Sequence, residues 1–162
     1  MRVIGIDPGT ARTGWGILEF DKGSLKSIDC GCIMTSTKEN SGERLKRIYD
    51  VLLELMTEKK PDEMAIEKIF FNTNVKTALS VGQARGVCIL AATTAGLQTY
   101  EYNTTEVKNF ITGYGRASKS DVANKVKDLL QLEVMPKPDD VTDALAIGVT
   151  HIAQALNLDI QH

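Results

Sequence analysis

The sequence predicts an α/β fold in which helices flank one five-stranded mixed β-sheet. Three apolar segments joined by short turns open the chain and favour an antiparallel meander, and helical patterns then alternate with two more strands. The predicted strands are residues 2–7, 12–20, 25–35, 63–67 and 97–102. With 162 residues and 43% hydrophobic content, the chain can bury one sizeable core, so we assign residues 1–162 to a single domain.

Two long helical patterns follow the meander. An amphipathic pattern spans residues 41–59, and a second pattern spans residues 75–94. In the second, Gly82 and Gly86 lie one turn apart and leave a flat strip where another helix could approach closely, for instance across a dimer.

Polar motifs mark where the remaining helices begin. Residues 103–106 (Asn-Thr-Thr-Glu) and 118–121 (Ser-Lys-Ser-Asp) each resemble a capping box, in which side chains satisfy free N–H groups of the first turn. A glycine-rich loop over residues 112–118 separates these two helices, and a last helix is predicted over residues 140–155.

Composition excludes several classes of protein. No apolar run reaches the ~20 residues of a membrane helix, and a strand begins directly after Met1, so we expect no signal peptide. The three cysteines, Cys30, Cys32 and Cys88, cannot all pair with one another. Cys30 and Cys32 are too close for a relaxed disulfide, and there is no second cysteine pair to complete a zinc site with them. We therefore expect reduced thiols and a cytoplasmic protein.

The charge distribution is uneven although the net charge is only −2. Residues 68–120 are net +4, whereas residues 1–67 and 121–162 are net −2 and −4. Local potential decides where a phosphate backbone docks, so this basic middle third predicts a nucleic-acid contact. Its basic residues are Lys68, Lys76, Arg85, Lys108, Arg116 and Lys119.

Four carboxylates stand where an enzyme would place metal ligands. Asp7 and Glu67 each end an apolar strand, and Asp140 and Asp143 open the last helix three residues apart, on one face. A buried carboxylate without a partner is costly, and hard oxygen ligands favour Mg²⁺ or Mn²⁺. Acids at a helix start are also common caps, and Asp7 before Pro8 also suits a turn, so the set of four carries the prediction.

Such a set suits phosphodiester hydrolysis. Two divalent ions ~4 Å apart can activate a water and stabilise the leaving oxygen, and this needs carboxylates held on rigid elements. Beside Glu67, Phe70 and Phe71 lie in a polar stretch and could stack on unpaired bases, although either could equally pack into the core. We interpret His151 as structural and Trp15 as a core residue.

The ordered motifs resemble the RuvC-type Holliday-junction resolvases of the RNase H-like superfamily. The matching segments are residues 5–10 (Gly-Ile-Asp-Pro-Gly-Thr), 13–16, 65–70, 82–86, 101–102, 107–108, 119–120 and 140–151. The resemblance implies an RNase H-like fold and a Mg²⁺-dependent endodeoxyribonuclease, with Mn²⁺ as a substitute and two ions per site. It assigns Asp7, Glu67, Asp140 and Asp143 as catalytic metal ligands, with Asp139 as a weaker candidate.

The same resemblance implies DNA contacts and partners. It matches Phe70 to an aromatic residue used against junction bases, and Lys108 and Lys119 to basic residues near the scissile strand. Its members act as homodimers on four-way DNA junctions in recombination and repair, make paired symmetric nicks, and work with a branch-migration motor of two proteins (RuvA and RuvB type). Members are often basic, so for this acidic chain we expect weaker or more salt-sensitive binding.

Three alternatives stay open from sequence. An ATPase or phosphotransferase of the actin and sugar-kinase kind also begins with an Asp-x-Gly-Thr motif but needs a second such domain. A junction-binding module without activity would bind and not cut. Another RNase H-like nuclease would share the metal chemistry and act on RNA–DNA hybrids.

Overall fold

A computed structural model describes residues 1–70 and 74–160 and confirms the predicted α/β class. The strands are β1 (Arg2–Asp7), β2 (Arg12–Asp21), β3 (Ser24–Met34), β4 (Glu63–Glu67) and β5 (Gln98–Tyr102). The helices are α1 (Ser41–Lys59), α2 (Val75–Thr94), α3 (Thr104–Thr112), α4 (Lys119–Leu129) and α5 (Asp139–Ala155). No helix within the described ranges is both long and apolar enough to cross a membrane.

The five strands form one mixed sheet in the order β3-β2-β1-β4-β5. β1, β2 and β3 form the antiparallel meander, whereas β4 is parallel to β1 and β5 is parallel to β4. The carboxyl ends of β1, β4 and β5 therefore meet at one edge of the sheet. Because Ile6 is in register with Ile66, the next residues, Asp7 and Glu67, lie side by side at that edge.

Each face of the sheet has its own hydrophobic core. Ile4 and Ile6 of β1 pack with α1 and α2, while Val3 points to the opposite core, which α3, α4 and α5 cover. Side chains alternate between faces along a strand, so Asp7 shares the face of Val3. Glu67 shares the face of Ala65, which also belongs to the α5 core. Both carboxylates thus point toward α5.

Two glycines allow α5 to lie against the sheet at very short range. A Cβ at Gly14 would lie 2.0 Å from the carbonyl oxygen of Asp140, and one at Gly5 would lie 2.1 Å from that of Ala144. Only glycine, which has no side chain, fits at these two positions. This contact brings the first turns of α5 to the sheet edge where β1 ends.

The helix starts agree with the predicted caps, with one revision. Capping boxes begin α3 at Asn103 and α4 at Ser118. The last helix begins at Asp139, after Pro138, which places Asp140 in its first turn but Asp143 in the second. Asp143 therefore lies beyond the free N–H groups, and capping does not explain it.

Two further predictions concern buried side chains. His151 is buried, with Tyr102 Oη 2.7 Å from its Nδ1 and Glu63 Oε2 2.7 Å from its Nε2, which suits the structural interpretation. Trp15 is only half-buried, at the margin of the core beneath α1 and α2.

Candidate active site

The four predicted carboxylates come together at the carboxyl edge of β1 and β4. Asp7, Glu67 and Asp143 line one cavity of about 280 Å³, together with Lys108 and Lys119. Asp140 lies close enough for its charge to act on both Asp7 and Asp143. The residues come from one strand pair and one helix, which supply fixed positions.

Asp7 is the carboxylate whose pKa all three of the others raise. The pKa of Asp7 is raised from 3.8 to about 8, mainly by burial and in addition by the charges of Glu67, Asp143 and Asp140 and a hydrogen bond with Glu67. Burial also raises the pKa of Asp143, an effect that its bond to Lys119 opposes. Negative charge is therefore crowded here in a partly dehydrated setting, where a cation would be favoured.

Protein cations contact two of the carboxylates. Lys119 Nζ donates to Asp143 Oδ2 at 3.0 Å. Arg12 Nε lies 3.2 Å from Asp140 Oδ2. That oxygen is shielded from solvent and receives no well-aligned hydrogen bond from the described residues, so the Arg12 contact is an ion pair only.

The donor set fits a hard divalent cation. It contains carboxylate oxygens, an unsatisfied buried oxygen on Asp140 and an Asp7 whose ionisation its neighbours oppose. Within residues 1–70 and 74–160, no three Asp, Glu, His or Cys side chains are already arranged to hold one ion. Lys119 donates to an oxygen of Asp143, and Thr104 donates to an oxygen of Glu67. A cation at this site would share these two oxygens with the two donors.

Asp7 makes a testable contribution to the pH dependence of stability. In EDTA, wild-type stability should fall as the pH rises from about 4 to about 8, because folded Asp7 retains a proton that the unfolded chain releases near 3.8. Asp7→Asn removes this term, and each pKa unit corresponds to about 1.4 kcal/mol. The variant should therefore gain stability over wild type, by up to a few kcal/mol, as the pH rises.

Urea unfolding at several pH values measures this difference. Asp21→Asn, on an exposed aspartate at the opposite end of the sheet, is the matched control and should track wild type. A stability difference between Asp7→Asn and wild type that does not change with pH would contradict the raised pKa.

Sequence reasoning missed two residues that hold the carboxylates. Arg12 lies at the start of β2, beside Asp140, and Thr104 Oγ1 donates to Glu67 Oε1 at 2.5 Å. A signal existed for Thr104, since it follows β5 and therefore lies at the edge where β4 ends. The sequence indicated only its place in a capping box.

The predicted DNA contacts lie in different settings. Phe70 is 62% exposed and lines a second cavity of about 460 Å³, which shares Glu67 and Thr104 with the first. Phe71 lies outside the described residues. Lys108 and Lys119 line the carboxylate cavity. Lys76 and Arg116 are exposed and line neither cavity.

Arg85 is engaged within the protein. Its guanidinium pairs with Glu101, and its Nε donates to the backbone carbonyl of Glu67 at 3.1 Å. These contacts hold the end of β4, so a DNA contact by Arg85 stays a prediction. The exposed Asp139 lines a smaller cavity beside Asp143 and Lys119.

Comparison with known proteins gives one consistent family. The family model described as crossover junction endodeoxyribonuclease RuvC matches residues 3–151. A RuvC from Alkaliphilus metalliredigens is 50% identical over 151 residues, covering 93% of this chain and 92% of that protein. A RuvC from Pelotomaculum thermopropionicum is 46% identical over 151 residues with the same coverage.

Solved structures agree. Thermus thermophilus RuvC in complex with a Holliday junction substrate superposes with a TM-score of 0.92 at 34% identity, covering 98% of this chain and 97% of that one. The yeast mitochondrial Holliday junction resolvase Ydc2 shares the fold, with a TM-score of 0.70 at 12% identity, covering 97% of this chain and 80% of that one.

Proposed function

The chain belongs to the RuvC family of crossover junction endodeoxyribonucleases, and on that premise we propose that it resolves Holliday junctions by paired symmetric nicks in recombination and repair. The observation that carries the proposal is the meeting of Asp7, Glu67, Asp140 and Asp143 at one sheet edge. The family assignment argues against the phosphotransferase alternative, and the complete carboxylate set argues against a module without activity.

We propose that the four carboxylates hold divalent cations, with Mg²⁺ as the natural ion, Mn²⁺ as a substitute and two ions per site. When bound, such ions activate water and stabilise the leaving oxygen of the phosphodiester. Asp7 and Glu67 contribute oxygens from strand ends, and Asp140 and Asp143 from the beginning of α5. Lys119, which pairs with Asp143, is positioned to pass from that carboxylate to a phosphate oxygen when DNA arrives. Asp139 stays a weaker candidate.

The cavity of Phe70 suits an unpaired base beside the carboxylates. Its ring is exposed, and stacking on one base contributes about 1–3 kcal/mol. Lys108 and Lys119 line the carboxylate cavity, where they would contact the scissile strand. Lys76, Arg85, Arg116 and Phe71 stay predicted contacts on the strength of charge and sequence position.

We also propose a homodimer that packs through α2. Val75, Leu79 and Leu90 are 75%, 65% and 57% exposed, and their spacing of four and eleven residues places them along one side of the helix. Gly86 continues this strip with open space around it, so a second helix can approach closely. Two sites related by a twofold axis would suit symmetric nicks in a four-way junction. The branch-migration motor and the cytoplasmic location stay predictions.

A panel of substrates tests the proposed function. In Mg²⁺, the protein should cut a four-way DNA junction at least about 10-fold faster than a duplex of the same sequence or an RNA–DNA hybrid, because the cavity lined by Phe70 suits unpaired bases. In EDTA, cutting should cease while junction binding persists. Equal cleavage of the hybrid would instead support the alternative RNase H-like activity, and binding without cutting in Mg²⁺ or Mn²⁺ would overturn the nuclease proposal.

A further inference from the structure

The four carboxylates differ in what holds them. Asp143 accepts from the ammonium of Lys119, and Asp140 lies against the guanidinium of Arg12. Glu67 is instead held by a neutral group, because its Oε1 accepts a hydrogen bond from Thr104 Oγ1 at 2.5 Å. This contact joins the end of β4 to the first residue of α3.

Glu67 needs such support more than its neighbours do. Its side chain has one more rotatable bond than an aspartate, and it lies beside the carboxyl of Asp7, whose pKa its charge raises. A single hydrogen bond with Asp7 does not fix the direction of this longer side chain, and a second donor limits the rotamers open to it. A hydroxyl donor fixes the direction of the carboxylate without placing a cation beside it.

The local structure makes Thr104 a rigid support. The capping box of Asn103 and Glu106 fixes the start of α3. Because the Asn103 side chain accepts from the backbone N–H of Glu106, the Thr104 hydroxyl is not needed to cap the helix and can bond to Glu67. The backbone carbonyl of Glu67 is held separately by Arg85 Nε at 3.1 Å. Thr104 also lines both the carboxylate cavity and the Phe70 cavity.

We propose that Thr104 is a positioning residue for Glu67: it keeps the carboxylate turned toward Asp7 and Asp143, ready to share a divalent cation. The inference rests on the proposed nuclease function and deepens it. Groups that orient a metal ligand typically change metal affinity or activity by about 10- to 100-fold when removed. Thr104 touches the ligand and not the reacting atoms, so its effect passes through Glu67.

The test compares Thr104→Val, which keeps the shape and removes the hydroxyl, with Thr104→Ser, which keeps the hydroxyl. Thr104→Val should lower the single-turnover rate of junction cleavage by about 10- to 100-fold. It should weaken Mn²⁺ binding to the DNA-free protein, followed by electron paramagnetic resonance, by a similar factor. Junction affinity in EDTA should not change, and Thr104→Ser should restore both the rate and the Mn²⁺ affinity to within about threefold of wild type.

Thr105→Val is the matched control, because Thr105 is the next residue of α3 and is also exposed but lines neither cavity. It should behave as wild type, and Thr104→Ala provides a second hydroxyl-free variant should the valine impair folding. Wild-type rate and Mn²⁺ affinity in Thr104→Val, or equal losses in Thr104→Ser, would overturn the positioning role. Failure of the wild-type protein to cut junctions would instead overturn the proposed function.

Discussion

Asp7→Asn should abolish junction cleavage while leaving junction binding intact. Asparagine preserves the shape of the side chain but cannot become an anion, and Asp7 is the carboxylate on which the charges of the other three act. We expect the single-turnover rate in Mg²⁺ to fall by about 10³-fold or more, the scale on which single catalytic groups act. Gel-based cleavage and fluorescence anisotropy of the same labelled junction measure the two properties separately.

The affinity of Asp7→Asn for the junction should stay unchanged or increase slightly, because the substitution removes one negative charge near a phosphate backbone. Asp21→Asn is again the control, since it makes the same chemical change at the opposite end of the sheet. Cleavage by Asp7→Asn at the wild-type rate would show that the metal site lies elsewhere. Loss of binding together with cleavage would indicate damage to the fold and not to the chemistry.

Gly14→Ala should have the second largest effect, although Gly14 has no side chain to perform chemistry. The added methyl group would lie 2.0 Å from the carbonyl oxygen of Asp140 and 2.9 Å from the backbone nitrogen of Val141. The first turn of α5 must therefore move away from β2. We expect a stability loss of about 1–3 kcal/mol, as for other overpacked sites. Displacing Asp140 and Asp143 by about 1 Å should lower the cleavage rate by about 10²-fold.

Thermal unfolding measures the loss of stability, and single-turnover cleavage well below the melting temperature measures the loss of activity separately. Gly42→Ala is the matched control: it lies in α1, where a Cβ meets no described atom closer than 3.4 Å, from Asn40 Oδ1. Alanine favours a helix over glycine, so this variant should keep its activity and gain up to about 1 kcal/mol. Full activity in Gly14→Ala would mean that the close contact with α5 does not control the site.

Local patterns were sufficient to predict the elements. Residues 41–59 and 75–94 are helical as predicted, because their periodicity and flanking Asn40 and Asn74 caps are properties of neighbouring residues. The end of β1 at Asp7 was also predictable from the sequence, since a carboxylate followed by Pro8 stops a strand. The start of the last helix differed by one residue, because Pro138 provides an extended residue before Asp139 without a side-chain cap.

The position of the four carboxylates in the sequence was sufficient to predict them as site residues, but it could not predict their surroundings. Sequence order cannot show that Arg12 lies against Asp140 or that Thr104 holds Glu67, because these pairs are 128 and 37 residues apart and meet only through the sheet. For the same reason Arg85 looked like a free cation from its position in a basic segment. Its actual partners, Glu101 and the carbonyl of Glu67, lie on neighbouring strands.

The sequence by itself determined which residues can perform chemistry and which short segments carry them, since side-chain type and local periodicity need no folded context. The tertiary structure decided how close those residues come, what shields them and which partner each one has. Parallel pairing of β1 with β4 brings Asp7 beside Glu67, and the glycine contacts bring α5 within reach. Charge interaction and desolvation depend on distance and burial, so the raised pKa of Asp7 arises only when the chain has folded.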